Sequence, residues 1–187
     1  MSNKIKVIIS VVIFAALFAL AVFAYQSLTS KYTPQSQTED PAGPTAQPKK
    51  IEAPDFAVTD SDGNTVQLSD FKGKPIVLNF WASWCGPCQS EMPHFNEVYR
   101  DKNGEVVFLM VNQTDGQRET IQKAQAFIDK EGFDFPIYFD TKLEASYLYG
   151  VSSIPSTLFI DKEGYVSKGY QGTISKKTLE DNIALIE

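Results

Sequence analysis

Residues 76–88 read Ile-Val-Leu-Asn-Phe-Trp-Ala-Ser-Trp-Cys-Gly-Pro-Cys. The first six residues form a nearly continuous apolar run of strand length, which is typical of a strand buried on both faces of a sheet. A helical segment at Gln89–Arg100 and a second apolar strand at Val106–Val111 follow. A strand, a helix and another strand in this order predict a βαβ unit with parallel strands.

The rest of the chain continues the alternation of strands and helices. Turn residues 62–64 separate two short apolar strands, Phe56–Val58 and Val66–Leu68, which predicts a hairpin. The later elements are predicted to be a helix at Glu119–Lys130 ended by Gly132, a strand at Ile137–Phe139, a short helix at Glu144–Tyr149, a hairpin of strands Thr157–Ile160 and Tyr165–Gly169, and a closing helix at Ser175–Ile186. This order predicts an α/β sandwich over residues 51–187.

The two cysteines of the chain, Cys85 and Cys88, lie between the predicted strand and helix. Two intervening residues let the sulfur atoms meet across one helical turn, so the pair can alternate between dithiol and disulfide. Unpaired N–H groups and the helix dipole at a helix N-terminus lower the pKa of a thiol from about 8.5 to roughly 3.5–7.5. We therefore predict that Cys85 is the exposed nucleophile and that Cys88, more buried, is the resolving thiol.

Other uses of a cysteine pair fit this sequence less well. Two cysteines and the single histidine, His94, do not supply the four ligands of a structural zinc site. Haem attachment needs a histidine directly after the second cysteine, where this chain has Gln89. We predict neither a metal nor a dissociable cofactor. A static disulfide is the remaining alternative, although a bridge that closes so short a loop constrains the unfolded chain little.

The N-terminal region predicts a membrane segment. Nineteen almost uninterrupted apolar residues, Val7–Tyr25, would reach about 28 Å as a helix, close to the hydrocarbon thickness of a bilayer. Lys4 and Lys6 precede the run, so the N-terminus is expected in the cytoplasm. We predict that residues 1–25 are a cytoplasmic stub and a transmembrane signal-anchor. A signal peptide cleaved at Ala19-Leu20-Ala21 is the alternative, and both place the body outside the cytoplasm.

Composition separates the remaining chain into a linker and an acidic domain. Residues 26–50 are rich in proline and lack hydrophobic periodicity, which predicts a semi-extended tether. Residues 51–187 hold 12 Lys and Arg residues against 21 Asp and Glu residues, a net charge of −9. An acidic body without a basic face argues against a nucleic-acid partner, because neutralising phosphates requires clustered Lys and Arg.

Four stretches carry a family resemblance. They are Leu-Ser-Asp-Phe-Lys-Gly-Lys-Pro at residues 68–75, the stretch from Val77 to Cys88, Glu91-Met92-Pro93, and Val-Ser-Ser-Ile-Pro-Ser-Thr at residues 151–157. Over residues 51–187 the sequence closely resembles the thioredoxin superfamily and, within it, the membrane-anchored TlpA/ResA-like thiol-disulfide oxidoreductases. The resemblance implies a thioredoxin-like fold, in which helices flank a central mixed sheet with an N-terminal hairpin extension.

The resemblance implies a substrate-binding surface around the cysteines. Pro155 matches the family's cis-proline beside the active site, and Ile154 is expected to offer backbone groups to an extended substrate peptide. The other substrate contacts are expected from Trp84, Gly86 and Pro87.

Glu91 is the leading acidic candidate. It matches a glutamate that the family is thought to use in tuning its active-site thiols. Its i,i+3 spacing from Cys88 puts it on the same helical side, where a carboxylate can exchange a proton with the resolving thiol. A solvated glutamate that merely suits the first turns of a helix is the alternative. Asn79 stands near the position where cytoplasmic thioredoxins usually carry a buried aspartate.

The resemblance implies a net reductant outside the cytoplasm. Its expected partners are exported proteins with disulfides, apocytochrome c among them, and an integral membrane thiol donor that recharges it. Three alternatives remain: an oxidant or isomerase of exported proteins, a peroxiredoxin-like peroxidase, and an anchored binding module with an inert bridge. The peroxidase is disfavoured, because Ala82 occupies the position where such enzymes need Thr or Ser.

Overall fold

A computed structural model of the chain describes residues 14–26, 50–102 and 104–187. The chain divides into two compact units, Met1–Gln47 and Pro48–Glu187. In the first unit, residues 14–26 form a helix, α1. The rest of the predicted anchor, at 1–13, and nearly all of the predicted linker, at 27–49, lie outside the described residues. Of the helices that are described, none combines the length and the apolar character of a membrane span.

In the second unit, the described residues form one mixed sheet with helices around it. Its strands are β1 (Ile51–Glu52), β2 (Ala57–Thr59), β3 (Thr65–Gln67), β4 (Ile76–Trp81), β5 (Val107–Asn112), β6 (Ile137–Phe139), β7 (Ser156–Ile160) and β8 (Tyr165–Gln171). The helices are α2 (Gly86–Lys102), α3 (Ile121–Glu131), α4 (Glu144–Leu148) and α5 (Lys176–Ile186), with a 3-10 helix at Leu68–Phe71.

The order of strands across the sheet is β1-β8-β7-β4-β5-β6-β2-β3. Strands β4, β5 and β6 are parallel, whereas β7 runs antiparallel to β4. The hairpin of β2 and β3 joins the sheet beside β6, and β1 adds to the opposite edge beside β8. This is the thioredoxin-like arrangement, with β4–α2–β5 as its parallel βαβ unit.

Strand β4 is buried on both faces, as its apolar run predicted. Its side chains alternate between two hydrophobic clusters, because successive residues of a strand point to opposite faces. Val77 and Trp81 belong to the cluster that includes residues of α2, α3 and α5. Leu78 and Phe80 belong to the cluster that includes α4 and the hairpin. Asn79 therefore lies on the face covered by α2, and its side chain must find polar partners there.

The predicted elements of the second unit are found in the predicted order. Most bounds agree within one or two residues, and Gly132 ends α3 in a left-handed conformation with φ 69°. Helix α2 begins earlier than expected, at Gly86, so the second cysteine lies inside its first turn. The second strand of the hairpin ends at Gln67 because Leu68 begins the 3-10 helix. Strand β1 was not predicted, since two residues give no periodic signal.

Ser175 supplies a test of the closing helix. Its Oγ accepts a hydrogen bond from the Thr178 N–H at 3.1 Å and so caps the N-terminus of α5. We expect Ser175→Ala to lower the free energy of unfolding by about 1 kcal/mol, because an orphan N–H loses its acceptor. Urea denaturation followed by circular dichroism measures this loss. Ser175→Asp keeps an acceptor and should remain near wild type, and equal losses in both variants would contradict the capping role.

Candidate active site

The cysteine pair lies where the buried strand β4 passes into helix α2. A loop at residues 82–85 follows Trp81, and α2 begins at Gly86. Because β7 is antiparallel to β4 and Ser156 is paired with Phe80, the segment before β7 reaches the same edge of the sheet. The topology thus brings Ile154 next to Cys85, although the two are 69 positions apart in the sequence.

Cys85 and Cys88 are joined by a disulfide, with their Cα atoms 5.3 Å apart. Cys85 is 4% exposed and Cys88 is fully buried. The predicted order of burial is therefore right, but Cys85 is far less exposed than expected: its sulfur is bonded to Cys88 and lies against the Ile154 carbonyl. The Cys88 N–H donates a hydrogen bond to Cys85 Sγ at 3.2 Å. The helix N-terminus thus offers Cys85 the kind of donor that stabilises a thiolate.

The surface around Cys85 contains the residues predicted to contact substrate. The Ile154–Pro155 peptide is cis, and the Ile154 carbonyl oxygen lies 3.7 Å from Cys85 Sγ. Ile154 is half-buried and Pro155 is buried. Gly86 and Pro87 are exposed on the first turn of α2. Beside them, Trp84 is 40% exposed.

Glu91 is 2% exposed on α2, so it is not the solvated glutamate of the alternative interpretation. Its Oε1 accepts a hydrogen bond from the Asn79 amide at 3.0 Å, and its Oε2 accepts one from the Ile174 N–H at 3.0 Å. The Asn79 amide also donates to Thr157 Oγ1 at 3.0 Å. Burial raises the pKa of the Glu91 carboxyl to about 7, although both hydrogen bonds act to lower it.

Comparison with known proteins agrees with this geometry. The family model described as AhpC/TSA matches residues 50–168. The thiol-disulfide oxidoreductase ResA of Bacillus thuringiensis is 38% identical over 138 residues, which cover 72% of this chain and 76% of the relative. ResA of Geobacillus kaustophilus is 33% identical over 171 residues, which cover 91% of both chains.

This chain belongs to the AhpC/TSA family and is a ResA-like thiol-disulfide oxidoreductase of the thioredoxin superfamily. A solved structure gives the same fold: an exposed lipoprotein thioredoxin of Streptococcus pneumoniae has a TM-score of 0.60 and 32% identity. The match covers 71% of this chain and 99% of the pneumococcal chain.

The ResA-like site includes a second buried carboxylate that the sequence analysis missed. Glu119 is fully buried, and its side chain accepts hydrogen bonds from the N–H and hydroxyl of Ser83 and from the Asn112 amide. The sequence suggests only that Glu119 begins a helix, whereas α3 starts at Ile121. No local pattern reveals the contact, because Ser83 and Glu119 are 36 positions apart.

A groove of about 450 Å³ extends from Trp84 of this ResA-like oxidoreductase. Most of its surface is apolar and comes from residues such as Leu143, Tyr147 and Val151, while Gln113, Asp115, Ser146 and Ser152 add polar groups to the walls. On the loop between β5 and α3, the Arg118 guanidinium lies 3.4 Å from the centre of the Trp84 ring. This contact is a cation–π interaction that restrains an otherwise exposed indole.

Proposed function

We propose that the chain is a membrane-tethered, extracytoplasmic oxidoreductase that reduces disulfides in exported proteins, apocytochrome c among them, through Cys85 and Cys88. The observation that carries this proposal is the disulfide at the N-terminus of α2. Its outer sulfur, that of Cys85, lies beside Ile154, and its inner cysteine is fully covered. Such a pair can attack with one sulfur while the other is held back for the second step.

The reaction begins with the reduced enzyme. The Cys85 thiolate attacks one sulfur of the target disulfide, a mixed disulfide forms, and the other target sulfur leaves as a thiolate. Cys88 then loses its proton and attacks Cys85 Sγ, which releases the second target thiolate and leaves the enzyme disulfide. The target gains two electrons and the enzyme loses two. A thiol donor in the membrane must return these electrons.

Glu91 is the proposed acceptor of the Cys88 proton. It lies one helical turn beyond Cys88 on α2, and burial gives its carboxyl a pKa of about 7. A base with a pKa near the working pH combines a large ionised fraction with useful basicity. Asn79 and the Ile174 N–H hold the carboxylate in place.

The substrate-contact surface is proposed to be Trp84, Gly86, Pro87, Ile154 and Pro155. Three of these are exposed around Cys85, and the Ile154 carbonyl is close to its sulfur. An extended peptide could therefore pair with the backbone beside the cis peptide while its cysteine meets Cys85. The apolar groove next to Trp84 would receive a side chain flanking that cysteine.

The proposed organisation is an anchor at residues 1–25, a linker at 26–50 and the catalytic domain at 51–187. The apolar run Val7–Tyr25 and the preceding lysines support this orientation. The pneumococcal protein of similar fold is an exposed lipoprotein, which supports a catalytic domain outside the cytoplasm. Carbonate extraction of membranes and alkylation by a membrane-impermeant maleimide test this proposal. Release into the carbonate supernatant, or protection of Cys85 in intact reduced cells, would contradict it.

The reductant role is tested with the full chain in detergent. Two measurements are needed: its midpoint potential against glutathione buffers, and its rate of reducing an oxidised apocytochrome c peptide. We expect a potential near that of thioredoxin, about −270 mV, rather than that of a strong oxidant, about −120 mV. A potential near −120 mV would assign the oxidant role instead. Hydrogen peroxide is the control substrate, and its rapid consumption would favour the peroxidase.

A further inference from the structure

Glu119 lies at the end of the loop between β5 and α3 and is held there by its own backbone. Its N–H donates to Asp115 Oδ1 at 2.9 Å, and its carbonyl accepts from the Gly116 N–H at 2.9 Å. The side chain is fully buried, and the Asn112 amide at the end of β5 donates to Oε1 at 2.9 Å. The carboxylate therefore has a fixed position relative to the central sheet.

From this position Glu119 contacts the loop that carries the nucleophile. Oε1 accepts from the Ser83 N–H at 3.0 Å, and Oε2 accepts from the Ser83 hydroxyl at 2.7 Å. The carbonyl of Ser83 is engaged as well, because the Gln89 amide of α2 donates to it at 2.6 Å. All three polar groups of Ser83 are thus bound, two by the loop after β5 and one by α2.

Ser83 precedes Cys85 by two residues, so these contacts determine the position of the Cys85 sulfur relative to the first turn of α2. The Cys85 N–H donates to the Ala82 carbonyl at 3.1 Å, which closes the turn around Ser83. Cys85 Sγ then receives the Cys88 N–H at 3.2 Å. A shift of this turn by a few tenths of an ångström would weaken that hydrogen bond, because such bonds depend steeply on distance and angle.

We propose that Glu119 is a positioning residue for the nucleophile: through Ser83 it holds Cys85 Sγ over the first turn of α2. The inference rests on the proposed function, since it assumes that Cys85 attacks. It assigns Glu119 a geometric task, which is to accept three hydrogen bonds. Its negative charge is not required, because an amide can serve the same donors: glutamine Oε1 accepts from Ser83 N–H and Asn112, while its Nε2 donates to the Ser83 hydroxyl.

The test measures the rate constant for the reaction of the reduced full chain with a disulfide reagent, DTNB, at pH 7. We expect Glu119→Ala to slow the attack by Cys85 about tenfold, near the lower end of the effect of losing one hydrogen bond to a charged group. Glu119→Gln should stay within about twofold of wild type, because the three donors keep their partners. The midpoint potential against glutathione should move in Glu119→Ala and not in Glu119→Gln.

Asp140 provides the matched control. It is also a buried carboxylate, and it accepts the N–H and hydroxyl of Ser146 at 2.8 Å each, but it serves α4 rather than the cysteine loop. Asp140→Ala should lower the urea concentration at the midpoint of unfolding without slowing the reaction of Cys85 with DTNB. If both alanine variants slow the reaction equally, the effect of Glu119 is one of general stability and the inference is wrong.

Two further variants keep the test decisive if Glu119→Ala does not fold. Ser83→Ala removes the hydroxyl that donates to Glu119, and Gln89→Ala removes the amide that donates to the Ser83 carbonyl. Both positions are at least partly exposed, and each variant should slow the reaction with DTNB about threefold. Wild-type rates in both would overturn the inference, as would a faster Glu119→Gln enzyme, which would point to a charge effect. An unreactive wild-type Cys85 would instead contradict the proposed function itself.

Discussion

Replacement of Cys85 by serine is expected to abolish the reduction of protein disulfides. The attack needs a sulfur that ionises near neutral pH, and a serine hydroxyl neither ionises there nor forms a disulfide. Insulin reduction followed by turbidity, and reduction of an oxidised apocytochrome c peptide, should both fall to the uncatalysed rate. The fold should persist, because a bridge across two residues contributes little to stability.

Cys88→Ser is the matched variant, and it should trap the mixed disulfide with the target rather than abolish the attack on it. Cys85 still attacks, but no second sulfur displaces the target, so the mixed disulfide accumulates. Non-reducing gel electrophoresis after incubation with target detects this species. The two variants should differ because Cys88 is fully buried, so a target disulfide cannot reach its sulfur when Cys85 is replaced. Equal trapping by both variants would contradict the assignment of nucleophile and resolving thiol.

The second large effect is expected from Glu91→Gln in the pH dependence of the reaction. Below pH 7 the Glu91 carboxyl is protonated and cannot accept the Cys88 proton, whereas above pH 7 it is ionised and can. The wild-type rate of resolving the mixed disulfide should therefore rise through pH 7. In Glu91→Gln that rise is lost, and above pH 7 the resolving step should be slower by about 10²-fold, the lower end for general-base catalysis. Stopped-flow kinetics from pH 5.5 to 8.5 measures this, and an unchanged profile would remove Glu91 from the mechanism.

The same group makes stability depend on pH. The folded-state pKa of Glu91 is about 7 and its ordinary value is 4.5, so the folded protein holds this proton more strongly than the unfolded chain. The associated stability is complete below pH 4.5 and is lost as the pH rises to about 7. The full loss amounts to about 3 kcal/mol, since each pKa unit corresponds to about 1.4 kcal/mol.

Urea unfolding of the oxidised wild type and Glu91→Gln at pH 4 and pH 8 isolates this contribution. The variant cannot ionise at position 91, so its stability relative to wild type should increase by about 3 kcal/mol between these values. Glu97→Gln, on an exposed position of the same helix, is the control and should show a far smaller change. Parallel pH profiles for wild type and Glu91→Gln would contradict a proton held by burial.

The sequence predicted much of the fold because its signals are local. The buried strand β4, the helix after the cysteines and the glycine that ends α3 each depend on residues within one element. Periodicity and turn chemistry therefore give their order. The cysteine pair was equally visible, since two intervening residues are enough to recognise it. The cis peptide before Pro155 followed from family resemblance, because most X–Pro bonds are trans.

The polar contacts of the site depend on residues that are distant in sequence. Glu91 binds the Ile174 N–H 83 positions away, and Glu119 binds Ser83 at a separation of 36. The spacing from Cys88 marked Glu91 as a candidate but did not show that it is buried, and no local pattern marked Glu119. Composition and periodicity thus fixed the strands, the helices and the redox motif of this chain. Tertiary contacts decided which carboxylates are buried: Glu91 lies between β4 and the segment before α5, and Glu119 lies between β5 and the cysteine loop. Burial raises the pKa of Glu91, because the loss of water penalises its charged form.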